Sequence, residues 1–158
     1  MKKIIIAAAI VFSALSAQAQ EVSQTLGLRL GDNDGLGYEI SYQKPTGDNR
    51  LQLDLGLRSS DNSDAYKLTG TYQWVKDLSS LADGFQWFYG AGAGIGHVSI
   101  DVPGVDGETF VNAAGTVGIE YKFDFPLQLS LDARPEIGIL NGDSDLGLDL
   151  ALGVRYVF

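Results

Sequence analysis

The residues of this chain that could do chemistry are charged and occupy alternate positions of otherwise apolar runs. Arg29, Arg58, Lys67, Lys122, Arg134 and Arg155 share the polar face of their segments with Glu39, Asp54, Glu120, Asp132, Glu136 and Asp149. Both signs on one face can neutralise one another as a buried, ion-paired network, or can line a polar path for small solutes. Nucleophilic catalysis has one candidate pair. His97, the only histidine, stands two residues before Ser99 on the same parity, as the base and nucleophile of an acyl hydrolase would. The acid that should orient the imidazole is missing from that face, because Glu108 falls in the following loop or on the opposite parity. The pair therefore reads as an interfacial histidine beside a loop serine, and no catalytic residue is assigned.

Metal and cofactor chemistry is weakly supported. One histidine and no cysteine exclude multi-histidine and thiolate sites within one chain. Asp32, Asp34, Asp61, Asp64, Asp101, Asp106, Glu108, Asp143 and Asp145 cluster in connections that carry no Lys or Arg. Carboxylates so placed could hold a divalent cation loosely, but Asp32-Asn33-Asp34-Gly35 does not complete a calcium-binding helix–loop–helix pattern. No metal site follows, and the acidic clusters read as a solvated, repulsive surface. Gly90, Gly92, Gly94 and Gly96 are spaced by two, not as a dinucleotide fingerprint, and no helix follows them. No cofactor is expected.

The elements that position these residues are strands. Leu146, Leu148, Leu150, Leu152, Val154, Tyr156 and Phe158 alternate with Gly147, Asp149, Ala151, Gly153, Arg155 and Val157. A period of two, with one greasy face and one charged or tiny face, belongs to an extended strand between two different surroundings. The same reading gives strands around Val22–Leu30, Leu36–Tyr42, Leu51–Arg58, Tyr66–Trp74, Trp87–Gly96, Val111–Phe123 and Leu127–Ile139. With the last, these make eight, and an even number allows closure into an antiparallel up-and-down barrel. Gly31–Gly35, Ser59–Ala65, Asp101–Glu108 and Asn141–Asp145 connect them at one end; Lys44–Asn49, Lys76–Gly84 and Asp124–Pro126 connect them at the other. Pro45, Pro103 and Pro126 fall in connections, whereas Pro135 falls within a strand and suggests a bulge.

The amino end indicates export. Lys2 and Lys3, the apolar stretch Ile4–Phe12 and the closing Ala17-Gln18-Ala19 make a secretory signal peptide over residues 1–19, ahead of a single domain over 20–158. Its removal takes two lysines from a chain of formal charge −9, and the remaining acidity argues against a nucleic-acid partner. The remainder has no apolar run long enough for a membrane helix, so any span must be built from strands. Alternation alone leaves two arrangements. A lipocalin-like barrel turns its apolar face inward, and a membrane barrel turns it outward. Basic side chains facing lipid at the bilayer midplane would cost roughly 2–4 kcal/mol each, so the six Arg and Lys of the polar face favour the second arrangement. A belt of Trp74, Trp87, Tyr89, Tyr121, Phe123, Tyr156 and Phe158 near one end supports it.

On these residues the chain resembles the small eight-stranded outer-membrane barrels of the OmpA/OmpX type. The ending Tyr156-Val157-Phe158 is similar to their closing strand, Trp87–Gly96 resembles the glycine-rich fifth strand of the broader group, and Leu131–Glu136 also resembles sequence of that group. The resemblance implies an outer-membrane location, a monomer, lipid and lipopolysaccharide as surroundings, and Tyr156 and Phe158 as the signal read by the barrel-assembly machinery. It carries fold further than function. The reading that results is a non-enzymatic barrel with a salt-bridged interior and acidic extracellular loops, in a structural or surface-interaction role. The alternative is a narrow porin-like passage. A third reading, by the similarity of His97-x-Ser99 to outer-membrane lipid A deacylases, is a lipid-modifying enzyme. Small outward patches at Gly70 and Gly115 leave dimerisation open.

Overall fold

The structure is a computed structural model that describes residues 23–31, 37–60, 63–100, 107–141 and 145–158. The proposed leader over 1–19 and the loop acids Asp32, Asp34, Asp61, Asp101, Asp106 and Asp143 lie outside the described residues. Eight strands follow one another: β1 (Thr25–Gly31), β2 (Tyr38–Thr46), β3 (Asn49–Ser60), β4 (Ser63–Asp77), β5 (Phe85–Ile100), β6 (Glu108–Lys122), β7 (Leu127–Leu140) and β8 (Gly147–Val157). Each pairs antiparallel with the next, and β8 returns to β1 to close the barrel. Closure satisfies the edge groups that an open sheet would expose, which lipid cannot solvate. Beyond the ladder, Gln24 and Phe158 exchange two backbone hydrogen bonds of 2.9 Å across the seam.

The side chains are arranged inside out relative to a soluble domain. Among the described residues the buried apolar side chains are Phe88, Ala114 and Ala151, while Arg29, Glu39, Asp54, Lys67, Asp132 and Arg134 are all buried. Leu28, Ile40, Leu68, Ile95, Ile119, Leu131, Leu150 and Leu152 point outward and are exposed. A continuous apolar wall around a charged interior is the arrangement that lipid covers, so the lipocalin-like alternative is not the one that folds.

Small residues let the wall curve. A Cβ built on Gly92 would come within 1.9 Å of the Gly70 carbonyl oxygen, and one on Gly90 within 2.3 Å of that of Tyr72. Here β4 and β5 approach so closely that only glycine fits. On β6, a Cβ at Gly118 would meet the Phe88 ring at 2.6 Å, so this glycine makes room for the one large apolar side chain that is fully buried among the described residues.

Two sequence expectations about proline need correction. Pro135 does not shift the register. Asn112–Ala114 lie opposite Gly138–Glu136, and Val117 lies opposite Ala133 in the same register; the bulge falls between Val111 and Asn112. Gly115 faces the proline ring, with its Cβ position 3.2 Å from Pro135 Cγ, so the missing side chain accommodates the ring. Pro45 lies within β2, opposite Arg50, and the turn shrinks to Gly47-Asp48 with Gly47 at φ 64°.

Candidate functional site

The strands converge their charges in the lumen, in two layers. The layer toward the long loops is organised by two guanidiniums. Arg29 on β1 donates from Nε and Nη2 to Asp132 Oδ1 at 3.0 and 2.6 Å. From Nη1 it donates to Glu39 at 3.0 Å and to Asp149. It thus joins β1 to β2, β7 and β8. Arg134 on β7 donates to Glu39 at 2.6 Å and Asp54 at 3.2 Å, and lies 2.9 Å from Glu136 and 3.3 Å from Asp149. Lys67 on β4 pairs with Glu136, which also accepts from Asn112 at 2.5 Å. Planar guanidiniums with fixed donors suit this bridging, since each reaches several carboxylates at once.

The layer toward the short turns is mostly amides. Arg50 donates to Glu120 and to Gln73, each at 2.6 Å, and its guanidinium lies 4.5 Å from the centroid of the Phe88 ring. Gln128 donates to Glu120 at 2.6 Å, and Gln43, Gln52 and Gln73 link β2, β3 and β4 through hydrogen bonds of 2.8 and 3.1 Å. Between the layers Arg155 is 1% exposed and donates to the hydroxyls of Ser41 at 3.0 Å and Ser130 at 2.7 Å. A cavity of about 490 Å³ opens beneath the lower layer, at the mouth ringed by the short turns, with Arg50 and Glu120 in its lining.

Ten of the twelve charges expected on the interior face are buried: Arg29, Glu39, Asp54, Lys67, Glu120, Asp132, Arg134, Glu136, Asp149 and Arg155. Arg58 and Lys122 are not. Arg58 sits near the upper end of β3 and Lys122 at the lower end of β6, both exposed at the rims. Parity fixed their face, whereas depth along the strand decided their burial. Arg50 is absent from the sequence reading because that reading starts the strand at Leu51, two residues after β3 begins, although Arg50 shares parity with Gln52 and Asp54. The buried charges are therefore five basic and six acidic side chains among the described residues, not six of each.

The candidate hydrolytic pair is not assembled. His97 Nδ1 lies 2.9 Å from Thr109 Oγ1, and Ser99 Oγ donates to the Asp64 carbonyl oxygen at 3.3 Å. Glu108 is exposed on β6 opposite Val98. The small outward positions are also partly covered, Gly70 by Leu53 at 3.3 Å and Gly115 by Pro135. The outer wall carries an aromatic belt at the short-turn end. Trp74 and Tyr89 stack at 5.3 Å, Trp87 and Tyr89 at 5.4 Å, Tyr121 and Phe123 meet edge-on at 4.6 Å, and Tyr156 and Phe158 stack at 6.4 Å. Rings with a polar edge favour the level of the membrane headgroups, which places this end of the barrel at one interface.

No protein-family model matches the chain, and no curated protein matches it. Solved structures do. The N-terminal β-barrel domain of Pseudomonas aeruginosa OprF is similar at a TM-score of 0.66 and 15% identity, over 89% of this chain and 100% of that one. Neisserial surface protein A gives 0.58 and 17% over 87% and 96%. Ail, the attachment invasion locus protein of Yersinia pestis, gives 0.56 and 17% over 87% and 97%; it has also been solved with the heparin analogue sucrose octasulfate. At these identities the likeness carries the architecture, and the chain has the fold of an eight-stranded, up-and-down outer-membrane β-barrel.

Proposed function

We propose that the protein is a non-enzymatic barrel of the outer membrane that holds its acidic loops above the lipid, with an interior closed by ion pairs. The observation that carries this reading is the Arg29–Arg134 network, which ties carboxylates from β2, β3, β7 and β8 across the lumen. Eight strands enclose a space that side chains can fill. The cavity at the short-turn mouth ends against Arg50 and Glu120, so it supports a closed vestibule over a through-channel. The separate bonding of His97 and Ser99 supports the non-enzymatic part.

The loops supply the surface role. Their acids are unaccompanied by Lys or Arg, so a polyanion such as the one bound to Ail is a poor match, and a cationic partner is a good one. Lipid and lipopolysaccharide then surround the barrel, which acts as a monomer. Conductance tests the closed interior. The refolded protein in a planar bilayer is expected to stay silent. Stable single-channel steps that change in Arg134→Ala or Asp132→Ala would replace this reading with a narrow porin-like passage.

A further inference from the structure

The outer wall is not evenly filled. On β7, Ala133 faces outward between the larger Leu131 and Pro135, with Val117 of β6 and Leu150 of β8 opposite it in register. The short side chain leaves a depression of about 600 Å³ walled by Val117, Ile119, Leu131 and Leu150. It runs down to Trp87 on β5 and to Leu78, which follows β4 in the turn. Leu78 and Trp87 are half-buried, whereas the four wall residues are exposed. An acyl chain seated in such a depression gains dispersion contacts on its sides that a chain crossing a flat wall lacks.

The lower end of the depression selects the lipid. It reaches the aromatic belt, where Trp87 stacks on Tyr89 at 5.4 Å, so the head of a lipid lying in it sits at the short-turn interface. Lys76 stands opposite Trp87 in the β4–β5 ladder and is exposed. A lysine there lays its apolar stem along the wall and holds its ammonium at the headgroup level. The acids of this end are directed elsewhere. Asp77 lines the lumen mouth and accepts from Ser79, while Asp48, Asp83 and Asp124 belong to the turns beyond the strand ends. Of the other basic groups here, Lys122 lines the lumen mouth, and Lys44 lies two strands away opposite Leu51. The charge beside the depression is therefore positive, and it suits a phosphate.

We propose that this depression seats one acyl chain of an anionic phospholipid, whose phosphate pairs with the Lys76 ammonium at the short-turn interface. The proposal rests on the outer-membrane reading of the wall and goes beyond it in fixing one lipid at one place. The chain has two tryptophans, Trp87 in the depression and Trp74 on the belt, so each can be left alone as a reporter. The refolded protein, as Trp74→Phe, is placed in phosphatidylcholine vesicles containing a little phosphatidylglycerol, with bromine on the acyl chains of one lipid at a time. Brominated phosphatidylglycerol is expected to quench Trp87 with about fivefold preference over brominated phosphatidylcholine at equal mole fraction, the scale of one lysine at an anionic surface. Lys76→Gln and Ala133→Leu, both outward and clear of the lumen, should each remove that preference. Trp87→Phe leaves Trp74, which should be quenched by both lipids. Equal quenching of Trp87 by the two lipids, or a preference that survives Ala133→Leu, would overturn the proposal. Trp87 protected from both lipids while Trp74 is quenched would also overturn it, and would put a second copy of the chain in the depression. Were neither tryptophan quenched, the membrane reading itself would fall, and the proposal with it.

Discussion

Arg134 is the residue on which the interior most depends. It faces Glu39, Asp54, Glu136 and Asp149, all buried with it; truncation takes from Asp54 its basic partner and leaves the other three to share Arg29 and Lys67. Removing one partner of a buried ion pair typically costs 3–5 kcal/mol because the remaining charge is left uncompensated. Arg134→Ala is accordingly expected to lower the stability of the refolded barrel by about 3–5 kcal/mol in urea unfolding followed by tryptophan fluorescence. An unchanged midpoint would mean that water reaches these carboxylates and solvates them. Much of this network was legible in the sequence, since a charge on the polar face of an alternating strand has only the lumen to occupy. What could not be read was which charge pairs with which. Arg29 meets Asp132 across a separation of 103 residues, and that partnership exists only once the barrel closes. Nor could alternation show that Arg155 would be held by two serine hydroxyls.

At the scale of the strand, the glycines of β5 have different jobs from the outward glycine of β4. Gly92 Cα carries no side chain because the β4 backbone already occupies the space, whereas at Gly70 an added methyl would meet only the tip of Leu53 at 3.3 Å. Gly92→Ala should therefore prevent recovery of the compact, heat-modifiable band on gel electrophoresis, and Gly70→Ala should refold normally. Equal refolding of both variants would show that β4 and β5 can separate without loss of the barrel. Strand identity and facing were clear from the period of two, yet strand ends were not. β4 begins at Ser63 and β6 at Glu108, each three residues before the alternation of large apolar side chains starts, because backbone pairing continues past the lipid where side-chain pattern no longer constrains it. The same limit concealed Arg50. Pro135 looked like a bulge because a missing N–H breaks ladder bonds, but Gly115 opposite it absorbs the ring and keeps the register.

At the scale of the molecule, the two ends of the barrel differ in chemistry. One carries short turns and an aromatic belt, and the other carries the acidic connections. On the proposal that Phe158 is read by the assembly machinery, its ring and its backbone act separately. The backbone exchanges hydrogen bonds with Gln24, while the ring stacks outward on Tyr156. Phe158→Ala is expected to refold in detergent like the parent, yet to leave less barrel in the outer membrane of expressing cells. Equal amounts in both would remove the signal role. The seam that Phe158 helps to close has a mechanical side as well. Among the described residues β1 is the shortest strand, with seven, and its Arg29 grips acids on both neighbouring strands and on β7 beyond. Under load such a cask gives at its shortest stave, and here that stave is riveted from within: what resists its withdrawal is one side chain inside the wall as much as the ladder along its edges.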